Sequence, residues 1–273
     1  MEIKIITIFC ICYDYLKDIN FKEDSQCKMN TAEIMTVALT ATKFFGGNYE
    51  RSRHFFESYG YMKMLSKSQF NRRLNKIDIA IWQGLFDIIT QNFKSKNSEQ
   101  AYIIDTFPVP VCHNIRINRS KIYKEEYYRG YNASKRQYFF GLKVAMITTL
   151  DHKPVEFTFA PASFHDSIIS KKLDFNLPQN SKIYGDSAFS DHKFENLLSN
   201  SHKINPLFQR KSNSTNPHSL IDQYMIKKYR KSIETTFSMI NNLFPKKIHS
   251  VTSFGFELKI FFFILTQTRF KVR

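Results

Sequence analysis

Three acidic residues, Asp105, Asp186 and Glu234, stand where carboxylates could do chemistry together. Asp105 lies inside the apolar, β-rich run 101–111, and a buried carboxylate is costly unless it is paired or bound to a cation. Asp186 follows Gly185 at the end of a second such run, and Glu234 lies in a segment of helical periodicity. Oxygen ligands suit Mg²⁺ or Mn²⁺. Two such ions, about 3.5–4 Å apart, could clamp the attacking and leaving oxygens of a phosphoryl transfer.

The segment that carries Glu234, residues 222–244, predicts one long helix because it lacks Pro and Gly and has two neighbouring stripes. The apolar stripe comprises Ile226, Tyr229, Ile233, Phe237, Ile240 and Phe244. The polar stripe comprises Lys227, Arg230, Glu234, Ser238 and Asn241. Taken alone, this pattern is also typical of a surface helix whose acid forms ion pairs.

The net charge of the chain indicates which class of partner it binds. The 273 residues carry a net charge of +16 and a pI near 9.6. Such a balance indicates a polyanionic partner, with nucleic acid favoured over an anionic membrane surface. The short apolar run at the N-terminus contains Glu2 and lacks a cleavage site, so it predicts a buried amphipathic helix rather than a signal peptide.

The four cysteines predict neither a metal site nor a disulfide scaffold. Cys10, Cys12, Cys27 and Cys112 form no CxxC pair, so we expect reduced, buried thiols in an intracellular protein. The longest later apolar run, 260–265, is too short to span a bilayer.

Residues 1–97 predict an all-helical domain. Its second helix begins near Thr31 and stops at Gly46, a third covers about 48–58, and a fourth begins near Ser66 and covers 66–93. The start of the fourth helix fits a helix-turn-helix-like DNA-binding element, and a helical bundle with a solvated basic end is the alternative. The candidate DNA contacts there are Lys67, Gln69, Asn71, Arg72 and Arg73.

Residues 98–273 predict a second, α/β (α+β) domain. A strand over 101–111 should end at Pro108 and Pro110, and a hairpin should follow. The further strands are predicted over 137–150, 154–162, 183–189 and 203–209, and the helices, which alternate with strands only after the hairpin, over 164–174, 191–199, 222–244 and 255–270. The order β-β-β-α-β-α-β-α fits a ribonuclease-H-like mixed sheet with flanking helices, in which the first strand is central and the fourth lies beside it.

Two connections carry further candidate DNA contacts. The stretch 113–138 interleaves basic residues with five tyrosines, which could hold phosphates and stack on unpaired bases, unless it is only a solvated loop. The candidate DNA contacts in this stretch are Arg116, Arg119, Arg129, Lys135 and Arg136. Further candidates are Arg210 and Lys211 in the loop before the Glu234 helix, and Arg230 within that helix. Ser163 and Asp166 predict a helix cap, with a catalytic or metal role for His165 and Asp166 as the alternative.

A series of motifs extends over nearly the whole chain. They are IDTFPVPVCHNIRI (104–117), RGYNASKRQYFFGLKV (129–144), SFHD (163–166), IYGDSAFSD (183–191), RKSNS (210–214), RKSIETTFS (230–238) and IHSVTSFGFELKI (248–260). Together they resemble insertion-sequence transposases of the DDE class, specifically family 982. The resemblance implies a ribonuclease-H-like catalytic domain, DNA cleavage and joining at element ends, and a triad at Asp105, Asp186 and Glu234.

One signature of the related insertion-sequence-4 group is incomplete. It requires Tyr, Arg, Glu and Lys at fixed spacing, and Arg230 and Glu234 match it. Lys227 stands at the Tyr position and Asn241 at the Lys position, so the phosphate contact of the missing Lys is in question.

The resulting hypothesis is a transposase that uses Mg²⁺ or Mn²⁺, as two ions. We expect its partners to be double-stranded DNA of the terminal inverted repeats and of the target, without a membrane, in the bacterial cytoplasm at the nucleoid. Joining two ends predicts a homo-oligomer during reaction. The alternatives are a hydrolytic nuclease on the same fold and a non-catalytic DNA-binding protein derived from a transposase.

Overall fold

The computed structural model describes residues 1–132, 136–210, 214, 217–245 and 248–267, with the backbone alone for 230–234, 236–237 and 239–243. The chain forms two compact units: residues 1–89 with 242–273, and residues 90–241. This division differs from the predicted boundary at 97 and 98, because the C-terminal segment packs with the N-terminal helices. As a boundary between functions, 97/98 stays a prediction.

The first unit is helical in its described residues. Its helices are α1 (Glu2–Asp18), α2 (Thr31–Phe44), α3 (Tyr49–Ser58), α4 (Lys67–Lys76), the greater part of α5 (Ile79–Lys96) and, from the C-terminal segment, α9 (Ser253–Gln267). Eleven of the 14 residues of α2 are buried, so α2 is the central helix of this unit. The rings of Trp82 on α5 and Phe262 on α9 pack with their centroids 4.4 Å apart.

The predicted N-terminal helices are confirmed except for the fourth. The single helix predicted over 66–93 is wrong, because α4 ends at Lys76 and α5 begins at Ile79. Ile77 has extended backbone angles (φ −67°, ψ 120°). The carboxylate of Asp78 accepts the Ala80 N–H at 2.9 Å, which is how an acidic residue caps a new helix.

The prediction of buried cysteines holds only for Cys12. Cys10 is exposed, Cys27 and Cys112 are half-buried, and all four are free thiols. Burial raises the pKa of the Cys12 thiol. Within the described residues, no helix has the length and apolarity needed to cross a membrane.

The second unit is built on a six-stranded mixed sheet. Its strands are β1 (Ala101–His113), β2 (Arg129–Asn132), β3 (Gln137–Thr149), β4 (Pro154–Pro161), β5 (Lys182–Gly185) and β6 (Asn205–Phe208). The order is β2-β3-β1-β5-β6, and β4 also pairs with β3. The pairs β1–β3, β2–β3 and β3–β4 are antiparallel, whereas β1–β5 and β5–β6 are parallel. Apart from the short β2, this is the predicted ribonuclease-H-like arrangement with β1 in the centre.

Helices cover both faces of this sheet. On one face, α6 (Asp166–Ser170) and α7 (His192–Asn200) contribute Ile169, Phe194 and Leu198 to a core that contains Tyr102 and Ile104 of β1. On the other face, Ile226 of α8 (Leu220–Leu243) packs with Ala101 and Tyr184. Thus α8 covers the face opposite α6 and α7.

The central strand β1 is longer than predicted. It continues through Pro108 and Pro110 to His113, with a bulge between Pro110 and Cys112. The Gln100 carbonyl accepts the Lys182 N–H, so even-numbered residues of β1 direct their backbone polar groups toward β5. Because the pairing with β5 extends only to Ile103, the missing N–H groups of the two prolines interrupt no hydrogen bond of that ladder.

The helix predicted over 164–174 is wrong in extent, since α6 covers only Asp166–Ser170. A carboxylate oxygen of Glu156 on β4 accepts the N–H groups of Asp174 and, at 2.9 Å, of Phe175. These side-chain bonds hold the backbone in an irregular path toward β5, with Phe175 at φ +51°.

Candidate active site

The register of β1 and β5 brings Asp105 and Asp186 to the same level of the sheet. Ala101 pairs with Lys182 and Ile103 with Tyr184, a constant offset of 81 positions (182 − 101 = 81). Asp186 follows Asp105 by the same offset (186 − 105 = 81). The strands stay adjacent up to the aspartates, because a Cβ added at Gly185 would lie 2.9 Å from Cγ2 of Ile104.

Both aspartates belong to the face of the sheet that α8 covers. Side chains alternate along a strand, so Asp105 shares the face of Ala101, four residues earlier. Asp186 has extended backbone angles (φ −78°, ψ 172°) and shares the face of Tyr184, two residues earlier. Ala101 and Tyr184 both pack against Ile226 of α8.

Glu234 lies on the helix that covers this face. The Tyr229 ring of α8 packs on the Tyr184 ring, with the centroids 4.7 Å apart. The Glu234 backbone is helical and lies five residues beyond Tyr229, about 7.5 Å along the axis. Its side chain lies outside the described part of the structure, and so does that of Arg230.

Neighbouring backbone N–H groups orient the two aspartate carboxylates. Oδ1 of Asp105 accepts the Thr106 N–H at 2.7 Å, and Oδ1 of Asp186 accepts the Ala188 N–H at 2.5 Å. Both side chains are half-buried. Among the described residues, the second oxygen of Asp186 has no hydrogen-bond partner, so it is available to a ligand.

This donor set fits a divalent cation. Two carboxylates at one level of adjacent strands repel each other unless a cation lies between them. Hard oxygen donors are what Mg²⁺ and Mn²⁺ prefer. Among the described side chains, no group of three or more His, Cys, Asp or Glu forms a metal cluster. A third protein ligand beside these two carboxylates would therefore have to come from a side chain that the structure does not describe.

Tyr184, next to the aspartates, is a neutral packing residue. Burial raises its pKa to about 12, and the neighbouring Tyr229 adds to the effect. Its phenol therefore stays protonated at neutral pH.

A buried ion pair braces the turn that follows Asp186. The Gln209 N–H donates to the Gly185 carbonyl at 2.9 Å. The next residue, Arg210, donates from Nη2 to Oε2 of Glu195 at 2.6 Å and from Nη1 to Oγ of Ser190 at 3.0 Å. The Arg210 and Glu195 side chains are only 12% and 10% exposed. Arg210, predicted as a DNA contact, thus has its guanidinium committed to Glu195, a residue that no sequence pattern singled out.

The candidates on α4 divide into exposed and engaged side chains. Lys67 and Arg72 are exposed. Gln69 caps its own helix by accepting the Ser66 N–H at 3.2 Å, and Asn71 is half-buried. Nη2 of Arg73 donates to Glu23 at 3.0 Å.

The connection between α3 and α4 bears on the predicted helix-turn-helix. It covers 59–66, longer than the turn of about 3–4 residues in that motif. DNA contact by α4 therefore stays a prediction that rests on its exposed basic residues.

The connection between β1 and β3 keeps most of its predicted basic residues at the surface. Arg116, Arg119 and Arg136 are exposed, and Arg129 forms an ion pair with Glu126 at 2.6 Å. Lys135 and Lys211 lie outside the described residues, so their predicted contacts stay predictions.

Ser163 and Asp166 make other contacts than the predicted helix cap. Ser163 does not cap α6 as predicted, because its hydroxyl donates to the Tyr127 carbonyl at 2.6 Å and His165 is the N-cap residue. Asp166 accepts from Nζ of Lys143 at 2.9 Å.

We expect Gly185→Ala to lower the free energy of unfolding by about 1–3 kcal/mol. The added Cβ would lie 2.9 Å from side-chain atoms of both Ile104 and Phe208, so β5 would have to shift beside Asp186. Urea denaturation of the variant and the parent chain measures this loss. An unchanged midpoint would show that the space at Gly185 is not tight.

The fold and the paired aspartates define a ribonuclease-H-like domain of the nuclease and transposase class. A comparison with protein-family models matches residues 95–250 to the family described as "Transposase DDE domain". This match covers more than half of the 273 residues, and the chain belongs to this family of transposases. Searches of the curated proteins and of the solved structures return no match. DDE transposase domains generally use divalent metal ions, and the family implies DNA binding.

Proposed function

We propose that the protein catalyses metal-dependent DNA strand cleavage and strand transfer at the ends of an insertion element of family 982. Asp105, Asp186 and Glu234 are the proposed catalytic residues. The observation that carries the proposal is the common offset of 81 positions, which sets Asp105 beside Asp186 on the face covered by the Glu234 helix.

The three carboxylates are also the proposed ligands of two Mg²⁺ or Mn²⁺ ions. The oxygen-only donor set supports this assignment, together with the second oxygen of Asp186, which has no hydrogen-bond partner among the described residues. When bound, the cations would supply activation of a water or a 3′-hydroxyl and neutralisation of phosphate charge. The carboxylates act as ligands rather than nucleophiles, so no covalent bond between protein and DNA forms.

We propose that basic residues outside the triad bind and orient the DNA. The net charge of +16 supports a duplex partner, which we propose to be the terminal inverted repeats and the target DNA. Residues 1–97, with the exposed Lys67 and Arg72, are the proposed end-binding part, and residues 98–273 the catalytic part. Joining two ends requires at least two copies during reaction, and the proposed site of action is the nucleoid in the cytoplasm.

Strand transfer with pre-cut ends tests this function. Duplexes that carry one element end with a free 3′-hydroxyl are incubated with a supercoiled target plasmid and Mg²⁺ or Mn²⁺. We expect end–plasmid joint molecules whose formation stops in EDTA. Metal-dependent nicking without joint molecules would identify a hydrolytic nuclease, and DNA binding without either product would identify a non-catalytic DNA-binding protein.

A further inference from the structure

A cleft lies beside β3, between β2 and the chain that leaves β4. Its volume is ≈ 390 Å³, within the range of about 300–1,000 Å³ that is usual for ligand sites. Its lining combines tyrosines with basic, hydroxyl and acidic side chains, chiefly Glu126, Arg129, Tyr131, Tyr138, Lys143 and Ser163. The site formed by Asp105 and Asp186 does not include any of these residues.

Two tyrosines form an exposed aromatic wall of the cleft. Tyr131 on β2 pairs directly with Tyr138 on β3, and their ring centroids are 4.9 Å apart. The two side chains remain 53% and 49% exposed, although large aromatic side chains are normally covered. The Arg129 guanidinium lies 4.6 Å from the Tyr138 ring centroid, and the two tyrosine rings are tilted by 54° to each other, so a cation and two rings lie side by side.

The cleft also offers donors for an anionic group. Nη1 of Arg129 donates to Glu126 at 2.6 Å, whereas its buried Nε has no hydrogen-bond acceptor among the described residues. Nζ of Lys143 donates to the Phe164 carbonyl at 2.8 Å and to Asp166 at 2.9 Å, which leaves the third N–H of the ammonium. Exposed aromatic rings beside N–H groups that have no acceptor match a ligand that has both a planar base and a phosphate.

We infer that this cleft binds one unpaired nucleotide of DNA, with its base packed against the Tyr131–Tyr138 pair and its phosphate held by Arg129 and Lys143. A base inside a duplex has both faces covered by its neighbours, so only an unpaired base can use the rings in this way. The inference rests on the proposed function for its choice of DNA as the ligand.

The cleft is distant from the proposed catalytic carboxylates. Asp105 pairs with Met146 on β3, eight residues from Tyr138 (146 − 138 = 8), which is about 27 Å along the strand. The bound nucleotide therefore flanks the cleavage site. At a spacing of 3.4 Å per nucleotide, it lies on the order of eight nucleotides from the reacting phosphate.

Binding in EDTA tests the inference separately from cleavage. The probes are a fluorescent oligothymidylate of about ten nucleotides and a duplex of equal length, followed by anisotropy. We expect Tyr131→Ala with Tyr138→Ala to weaken single-strand binding about 5- to 100-fold, with a much smaller effect on the duplex. The matched double Phe variant should bind like the parent chain. Tyr13→Ala, which removes a tyrosine with 50% exposure from α1, should also bind like it.

Photocrosslinking of the parent chain gives a test that does not depend on a folded variant. An oligothymidylate with one 5-iodouracil should crosslink to Tyr131 or Tyr138. The inference would be overturned if crosslinks formed only at residues other than Tyr131 and Tyr138. It would also be overturned if the double Ala variant lost single-strand and duplex binding equally. Neither test measures cleavage. If the parent chain showed no strand transfer, the proposed function would be refuted, but the binding and crosslinking results would still stand.

Discussion

Replacing Asp105 by Asn is expected to reduce metal-dependent DNA cleavage by at least about 10²–10³-fold, while DNA binding stays near that of the parent chain. The Asn oxygen can still accept the Thr106 N–H that now binds Oδ1 of Asp105 at 2.7 Å, so the strand keeps its geometry. What is lost is the negative charge and the affinity for a hard cation. Asp186→Asn is expected to act in the same way, because its Ala188 contact also survives.

Nicking of a supercoiled plasmid that carries element ends measures the effect, in Mg²⁺ and in Mn²⁺. A second readout is the rise in melting temperature on adding Mn²⁺, since a bound ion stabilises the folded chain. The variant should lose most of this rise. Asp174→Asn is the matched control, because Asp174 is exposed in the same unit. Cleavage by the Asp105 variant at the parent rate would refute the assignment of Asp105 as a ligand.

Arg210→Ala is expected to destabilise the chain by about 3–5 kcal/mol, because it would leave the Glu195 carboxylate buried without its partner. The loss of the Ser190 contact would also loosen the turn after Asp186. Replacing both partners by apolar residues, as Arg210→Met with Glu195→Leu, should recover most of the stability, since no charge remains buried.

Urea denaturation of the two single variants and the double variant forms a cycle that isolates the pair. Lys171→Ala is the control: its ion pair with Asp191 is far more exposed, so the loss should be at most about 1 kcal/mol. If Arg210 contacted DNA instead, the Arg210→Ala variant would show the opposite pattern, with weaker DNA binding and unchanged stability. That result would contradict the structural role of the pair.

Much of the local structure could be predicted from the sequence, because it depends on short-range periodicity. Helical spacing over 222–244 and the strand–turn–strand pattern at 137–162 indicated α8 and the β3–β4 hairpin. The failures occur where a distant or competing side chain acts on the backbone. Asp78 starts a new helix by capping it, and Glu156 takes the N–H groups that a longer α6 would have used.

The sequence by itself therefore determined the candidate acids and the elements that carry them, since both follow from residue type and periodicity. The tertiary structure decided which of them meet. Only the parallel register of β1 and β5 sets Asp105 level with Asp186, and only the packing of Ile226 and Tyr229 shows which face α8 covers. The Arg210–Glu195 pair was likewise beyond sequence reasoning, because it joins residues that the chain separates and the fold brings together. The tyrosines and basic residues of 113–138 were already candidates for DNA contact, but only the fold places them in one cleft with Lys143 and Ser163.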